Sequence, residues 1–489
     1  MLKIIRGNQV SELDKSHLRK SGQSSHELME VAALGFVDWY ISREEFKLDP
    51  VIIFVGAGNN GGDGLAIARN LVHHEYSVIV VTCFSDEKSL SPDALNNWHL
   101  LPKAVEKIAF ENFEFPHYGV LIDCYLGVGL KGDLRESAIP IIQKINSFEG
   151  KVISVDIPSG LHSGEVNQGL CVQADYTVSF AFPKLSLLLP ENAKTIGELF
   201  LVDIGIGEET FEEFESEFYF IQQRDIPALH KEFHRFAYKG DYGKVLIAGG
   251  SPGKMGALIL CAKSALRAGS GLVTCHLEDT ERFIIQTAVP EAMATWGLIA
   301  NLDFYDALGI GPGWGQDGKK YLLKQILEEF QKPVVIDADG LNILAKEKEM
   351  ISLIPKNSIL TPHIGEFNRL VGPAKDHLER LQLAKEFAVS NQLILVLKGA
   401  NTVVSLPSGK QIFNSSGTKY MATGGSGDVL TGIITSYLGQ GYTPENAAIC
   451  GVYHHGLAGE IAGKRKRKGL IASDIIEAFP DSYIQLDIS

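Results

Sequence analysis

The chain is poor in the features that mark secreted, membrane-spanning or nucleic-acid-binding proteins. Its six cysteines, Cys83, Cys124, Cys171, Cys261, Cys275 and Cys450, form no C-x-x-C pair, so neither a disulfide framework nor a thiolate metal centre is expected. Scattered thiols suit a reducing compartment. No apolar run reaches 18 residues and the start does not read as a signal peptide, so a cytoplasmic protein with no membrane partner is expected. Positive charge is also short: the formal net charge of −14 argues against nucleic acid as a partner. The one basic run, Lys464-Arg-Lys-Arg-Lys468, reads as a solvated loop. No internal repeat of 20–50 residues is visible, which excludes solenoids and propellers.

What remains is the composition of an α/β enzyme, with 489 residues, 45% apolar and 50 glycines. That length predicts two or three domains. Residues 11–40 alternate polar and apolar positions with a helical period and predict one amphipathic helix. Val51-Ile-Ile-Phe-Val55 is a short apolar run of the kind buried on both faces of a parallel sheet. It empties into Gly56-Ala-Gly-Asn-Asn-Gly-Gly-Asp-Gly64, after which 65–71 has helical character. A strand, a glycine loop and a helix make a credible phosphate-binding context. The asparagines and aspartate add hydrogen bonds to a sugar or amide, or oxygen ligands for a cation. Further strands end at Asp123, at Asp156, near Tyr176-Thr-Val-Ser-Phe180 and at Asp203. Ligands bind outside the carboxyl ends of parallel strands, so Asn60, Asp123, the 127–132 loop, Asp156 and Ser159 should share one crevice. Asp123, late in an apolar strand, is either a structural cap or a cation ligand, since an unpaired buried carboxylate is costly.

From 207 to 219 the chain turns Glu- and Phe-rich without a clean period, which places a domain junction near 210–230 with this segment as a linker or sheet edge. The strand-then-glycine pattern then restarts at Gly243-Lys-Val-Leu-Ile-Ala-Gly-Gly250. Chemistry-bearing residues recur at successive strand ends: Gly311-Pro-Gly-Trp-Gly315, Asp337 and Asp339, His363 and Glu366, Lys398, and then Met421-Ala-Thr-Gly-Gly-Ser-Gly-Asp-Val-Leu-Thr-Gly432. Glycine that dense lets a ligand approach the backbone, and amides opening a helix cradle phosphate. Asp428 there reads either as a helix N-cap or as a base for a hydroxyl that meets a phosphoryl group. Taken together, the strand-end residues favour a shared active site.

Eight of these motifs, in order, carry a family resemblance. The first half resembles the NAD(P)H-hydrate epimerase family through Gly58-Asn-Asn-Gly-Gly-Asp-Gly64, the 123–132 segment and Val155-Asp-Ile-Pro-Ser-Gly160. The second half is similar to the ADP-dependent NAD(P)H-hydrate dehydratase family, a branch of the ribokinase-like fold. It matches through Gly311–Gly315 as quoted, Asp337-Ala-Asp-Gly-Leu-Asn342, Thr361-Pro-His-Ile-Gly-Glu366, Lys398-Gly-Ala-Asn-Thr402 and the 421–432 stretch. The resemblance implies an α/β chain with a Rossmann-like three-layer epimerase domain over 1–215 and a ribokinase-like dehydratase domain over 225–489. It implies repair of hydrated nicotinamide cofactors: the epimerase interconverts R and S hydrates of NADH or NADPH, and the dehydratase restores the S form at the expense of ADP, giving AMP and phosphate.

Site residues follow from the same likeness. In the second half, Asp428 is the implied base, Ala257, Gly313, His363 and Asp428 touch the hydrate, and Lys398, Gly399, Ala400, Asn401, Thr402 and Gly427 hold the nucleotide, with Mg²⁺ accompanying ADP. In the first half, Asn60, Asp123 and Ser159 match K⁺ ligands, all oxygen donors as a hard monovalent ion requires. Asn59, Asn60, Gly61, Gly62, Asp63, Gly127, Val128, Gly129, Leu130, Lys131, Gly132, Asp133 and Asp156 match substrate contacts, with Asp156 the candidate acid/base. Val128 stands where the family has a threonine. Small-molecule substrates, no nucleic acid, no membrane and a homo-oligomer are the expected associations. The rival is an ATP-dependent small-molecule kinase of the ribokinase-like fold carrying an N-terminal nucleotide-binding module.

Overall fold

The computed structural model describes residues 1–47, 50–130, 132–299 and 301–488. The chain forms two compact units, Leu2–Ser216 with Asp376–Leu378, and Glu217–Lys375 with the chain from Glu379 onward.

In the N-terminal unit the strands are β1 (Val51–Val55), β2 (Val78–Thr82), β3 (Glu106–Ala109), β4 (Val120–Cys124), β5 (Lys151–Val155), β6 (Tyr176–Phe180) and β7 (Glu198–Val202). They pair in the order β3-β2-β1-β4-β5-β6-β7, parallel throughout. All five residues of β1 are buried, and its alternate side chains divide between two cores. Val51, Ile53 and Val55 join Phe36, Tyr40 and Leu65 on one face, while Ile52 and Phe54 join Phe113, Leu121 and Ile142 on the other. A period of two inside a wholly apolar strand therefore builds a three-layer α/β/α sandwich. Chain order reverses about β1, which leaves a switch point between the ends of β1 and β4.

Two local expectations differ from what forms. The single helix expected over 11–40 is two helices, Val10–Ser21 and Ser25–Ile41. Gly22, at φ 74°, closes the first. Ser24 opens the second with a capping box, its Oγ accepting from Glu27 N at 3.2 Å while Glu27 Oε2 accepts from Ser24 N at 2.7 Å. The glycine-rich segment after β1 is helical from Asn59, in a helix spanning Asn59–His73. A Cβ on Gly61 would lie 1.9 Å from the Gly56 carbonyl oxygen, and one on Gly64 would lie 2.6 Å from Cys124 Cβ. The glycines thus let the first turns of this helix lie against the sheet.

The C-terminal unit contributes β8 (Phe218–Phe220), β9 (Lys244–Ala248), β10 (Leu272–His276), β11 (Met293–Thr295), β12 (Ala307–Ile310), β13 (Val334–Ile336), β14 (Ile359–Leu360), β15 (Ile394–Leu397), β16 (Val403–Ser405) and β17 (Gln411–Phe413). Their order is β8-β17-β16-β15-β14-β13-β12-β9-β10-β11, with β15-β16 and β16-β17 antiparallel and the other pairs parallel. Val245 and Ile247 face one core and Leu246 and Ala248 another, so this unit is also three-layered. Its switch point lies between β9 and β12. The Glu- and Phe-rich segment is structured: Glu208–Phe211 is a helical turn with Phe211 buried, and β8 pairs with β17.

All six cysteines are unpaired and all but Cys83 are buried. Burial raises each thiol above its ordinary range, Cys275 and Cys450 to about 12. Among the described residues, no helix is long and apolar enough to cross a membrane.

Candidate active sites

At the C-terminal switch point the chain leaves β9 through Gly249 and β12 through Gly311. Gly250 N donates to the Pro312 carbonyl at 2.9 Å and Ser251 Oγ to that of Gly313 at 2.9 Å, which clips the two turns together. Gly313 has φ 58°, and a Cβ there would approach Lys254 O to 2.6 Å and Ala257 Cβ to 3.0 Å. Ala257 and Gly313 are therefore neighbours, and only glycine fits between them. Beside them opens a cleft of about 680 Å³ lined by Ser251, Lys254, Trp314, Gly315, Lys319 and Asp339 among others.

The helix Ser426–Gly439 begins where Gly425 adopts φ 91°. Gly425 is the N-cap, so Asp428 lies inside the first turn and does not cap the helix through its side chain. The turn's free amides and the positive end of the helix dipole suit a phosphate. A Cβ on Gly427 would lie 3.2 Å from Lys398 Nζ and 3.8 Å from Asp337 Oδ2. Lys398 Nζ is 2.7 Å from Asp337 Oδ1 and 3.9 Å from Glu366 Oε2, while Thr431 Oγ1 donates to Asp337 Oδ2 at 2.7 Å. Asp337, nearly fully buried, thus ties the ends of β13 and β15 to the helix. Asp428 sits in this cluster without an ion-pair partner among the described residues. Burial, then the Asp337 charge, push its carboxyl up to about 7, with Lys398 opposing them.

His363 caps the helix Ile364–Leu370, its Nδ1 accepting from Gly365 N at 2.9 Å, and leaves Nε2 3.4 Å from Glu366 Oε1. It is bridged to Lys398 by backbone pairing and through Glu366. Gly399 and Ala400 form an exposed turn closed by Thr402 Oγ1, which donates to the Gly399 carbonyl at 3.1 Å, with Asn401 between them. One residue near this site was not anticipated. His455, on the helix Pro444–Lys466, has Nε2 3.2 Å from Ser426 Oγ, and burial lowers it to about 4. It lies mid-helix, away from any strand end, and the motif pattern carries no signal for it.

At the N-terminal switch point, the fully buried Asp123 carboxylate accepts from Ser159 N at 2.9 Å, Ser159 Oγ at 2.6 Å and Ser154 Oγ at 2.9 Å. Burial still raises it. Asn60 Nδ2 donates to the Leu126 carbonyl at 3.0 Å, and Leu126 N donates to Ser159 Oγ at 2.8 Å, so Asn60, Asp123 and Ser159 meet around one loop. Asn60 Oδ1 is buried without a hydrogen-bond partner among the described residues. An orphaned oxygen beside a carboxylate and a hydroxyl fits a hard cation.

Gly127 packs on Asn60, where a Cβ would lie 3.0 Å from Asn60 Cβ. Val128 packs against Ile157 and Leu161, an apolar seat that suits it better than a threonine hydroxyl. Gly129, Gly132 and Asp133 are exposed and Leu130 half-buried; Lys131 lies outside the described residues. Asn59 is exposed on the first turn of its helix, Gly61 and Gly62 are buried, and Asp63 is partly buried with its carboxyl raised well above the usual range by burial. Asp156 follows β5 at φ 64° and pairs with Lys184, a lysine that sequence reasoning passed over although it trails β6 closely.

Fold and sites together define an α/β enzyme with two separate ligand crevices, the second in a ribokinase-like unit. Residues 245–481 match the family described as NAD(P)H-hydrate dehydratase, and residues 25–186 the family described as YjeF-related protein N-terminus. A bifunctional NAD(P)H-hydrate repair enzyme, Nnr, of Moorella thermoacetica is 36% identical, with 88% of this chain and 86% of that one covered. The enzyme of the same name from Thermofilum pendens is 33% identical, covering 98% and 96%. The crystal structure of the ADP/ATP-dependent NAD(P)H-hydrate dehydratase from Bacillus subtilis, co-crystallized with ATP/Mg²⁺, is 29% identical and covers 55% of this chain and 98% of that one at a TM-score of 0.50. This chain belongs to the family of bifunctional NAD(P)H-hydrate repair enzymes.

Proposed function

We propose that the C-terminal unit dehydrates the S form of NADH or NADPH hydrate at the expense of ADP, and that the N-terminal unit interconverts the R and S hydrates so that both are recovered. The observation that carries the first half is Asp428: a carboxyl raised to about 7, in the first turn of a helix whose amides suit a phosphate. A base poised near neutrality takes the ring hydroxyl proton as that oxygen attacks the β-phosphoryl of ADP. AMP departs with the bridging oxygen. The phosphorylated ring then loses phosphate and a proton from the adjacent carbon, which forms the double bond of the dihydronicotinamide. Phosphate leaves where hydroxide would not. Backbone amides at Gly425 and Gly427, together with Lys398, balance the charge that builds on the phosphoryl oxygens. Lys398, Gly399, Ala400, Asn401, Thr402 and Gly427 hold the nucleotide; Ala257, Gly313 and His363 face the hydrate.

Mg²⁺ would enter with the nucleotide, as it commonly does through phosphates and one or two carboxylates. In the N-terminal unit Asn60, Asp123 and Ser159 would hold K⁺, which would supply positive charge at the crevice. Asn59 to Asp63, the 127–133 loop and Asp156 contact the substrate. The boundary between the two activities falls near residue 216.

Hydrated NADH with ADP, Mg²⁺ and K⁺ tests the reading. Wild-type protein should restore NADH absorbance with release of AMP and phosphate, and should consume the R hydrate as well as the S. Asp428→Ala should abolish dehydration while R and S still interconvert. A stable phosphorylated product in place of NADH would instead identify a small-molecule kinase.

A further inference from the structure

Asp156 is held in an uneven way. Its Oδ1 accepts from Phe180 N at 3.1 Å, lies 3.3 Å from Ser179 Oγ and takes the ammonium of Lys184. Among the described residues no hydrogen bond reaches Oδ2. Lys184 is 2% exposed, and its three N–H groups are matched by Asp156 Oδ1, Ser179 Oγ at 3.1 Å and the Phe180 carbonyl at 3.2 Å. A lysine with every donor used has none left for a substrate. Burying an ammonium is expensive unless it is paired, and this one is paired to a single carboxylate oxygen. Asp156 itself adopts φ 64°, a backbone state that non-glycine residues reach only when their surroundings impose it. Strain, anchoring and charge all fix one carboxylate in one orientation, with one oxygen spent and the other available.

We propose that Lys184 is the positioning residue of the epimerase site: it clamps Oδ1 of Asp156 so that Oδ2 serves as the base for the hydrate's hydroxyl, with Asp63, at the start of the helix that follows β1, as the acid. The proposal rests on the epimerase reading above. Charged and titratable groups facing the pair come from each neighbouring element: Asp14 and His17 from the helix Val10–Ser21, Asp63 from Asn59–His73, and Asp93, farther off, beside Asp63. Burial, then the charges of Asp156 and Asp14, keep Asp63 protonated well above the usual carboxyl range. Asp14 is raised to about 6, mainly by burial. A buried carboxyl that keeps its proton can supply the acid.

The chemistry balances with these two groups alone. The hydrate carries its hydroxyl on the carbon beside the ring nitrogen. Asp156 takes the hydroxyl proton, the O–H pair becomes the second carbon–oxygen bond, and the carbon–nitrogen bond breaks with its pair on nitrogen, which Asp63 protonates. Rotation turns the other face of the carbonyl to the nitrogen. Reclosure returns one proton to Asp63 and the other from Asp156 to oxygen, so the ring closes with inverted configuration and nothing consumed.

The test follows conversion of R to S hydrate by the full chain from pH 5.5 to 9, with dehydration of S hydrate and thermal unfolding as controls. Positioned acid–base groups contribute about 10²–10⁴-fold, so Lys184→Met should lose on the order of 10²-fold at pH 7. Its rising limb should move to higher pH, because losing a neighbouring cation disfavours the charged form of a carboxylate. Lys184→Arg should return the limb toward its wild-type position. Should Lys184→Met not fold, Ser179→Ala loosens the same clamp and should shift the limb in the same direction by less. A loss of rate with no movement of the limb in any of these variants would make Lys184 merely structural and overturn the proposal. Absence of R-to-S conversion in the wild type would instead sink the epimerase reading, and this proposal with it.

Discussion

At the scale of single residues, Asp428, as the proposed base, would couple catalysis to stability. Its carboxyl is raised to about 7 in the folded chain from an ordinary aspartate value of 3.8. A group that binds its proton more tightly when folded favours the folded state below pH 3.8 and loses that advantage as pH rises through 7. Asp428→Asn should therefore raise the stability at pH 8, by an amount on the order of a few kcal/mol at most, and with it the unfolding temperature, while dehydration is lost. Wild-type dehydration should itself climb with pH through about 7, as the base ionises. An unchanged melting temperature at pH 8 would mean the carboxyl is not desolvated as described.

Gly313, Asp337, His363 and Lys398 were legible as a group because each follows a strand end in a glycine-rich turn, where backbone and ligand can approach. Their pairing was less so. Asp337 showed as one of two aspartates with no means of choosing between them, and its bonds to Lys398 and Thr431 join positions far apart in sequence. Lys184 and His455 were invisible for a stronger reason: each is recognised by what surrounds it once buried, and no local pattern records that.

At the scale of elements, runs such as Val51-Ile-Ile-Phe-Val55 announced the parallel strands because burial on both faces leaves no polar position. The short strands β3, β11, β16 and β17 did not show, since three or four residues carry too little pattern. The helix Asn59–His73 was expected to begin later because glycine and asparagine are poor helix formers. Tertiary packing overrides that preference: the glycines are there for closeness to the sheet. Gly61→Ala tests it. A methyl 1.9 Å from the Gly56 carbonyl oxygen must displace backbone, so the N-terminal unit should lose about 1–3 kcal/mol or more. R-to-S conversion should fall with it while S-hydrate dehydration persists. Wild-type stability in this variant would show that the turn yields more easily than its geometry suggests.

At the scale of the whole molecule, the two units carry opposite titration debts. In the C-terminal unit His230 and His455 are lowered to about 4, and His276 and His454 are lowered too, each chiefly by burial. His230 and His454 meet at 2.9 Å between Nε2 atoms, in a network that continues to Tyr442 and Ser482. An unfolded histidine gains its proton near pH 6.5 and these do not, so stability falls as pH drops from 6.5 toward 4, by roughly 1–2 kcal/mol per histidine at pH 5. Asp428 and Glu460, both raised, offset part of this. In the N-terminal unit the buried carboxyls run the other way. Asp14, Asp63 and Asp123 are raised and stabilise the fold as pH falls from 7 toward 4. Hydrogen exchange at pH 7 and pH 5, corrected for intrinsic rates, should show protection decreasing in the C-terminal unit and increasing in the N-terminal one. Movement in the same direction would contradict the assignment.

The six cysteines, five of them buried, have a practical consequence. With every thiol lifted away from its reactive form and five of them out of reach, the chain offers alkylating agents and peroxides almost no thiolate. A single cysteine introduced at the solvent-facing Gly129 or Ala400 would accept a maleimide fluorophore in the otherwise native sequence, so that movement of either crevice could be followed without first stripping the natural cysteines away.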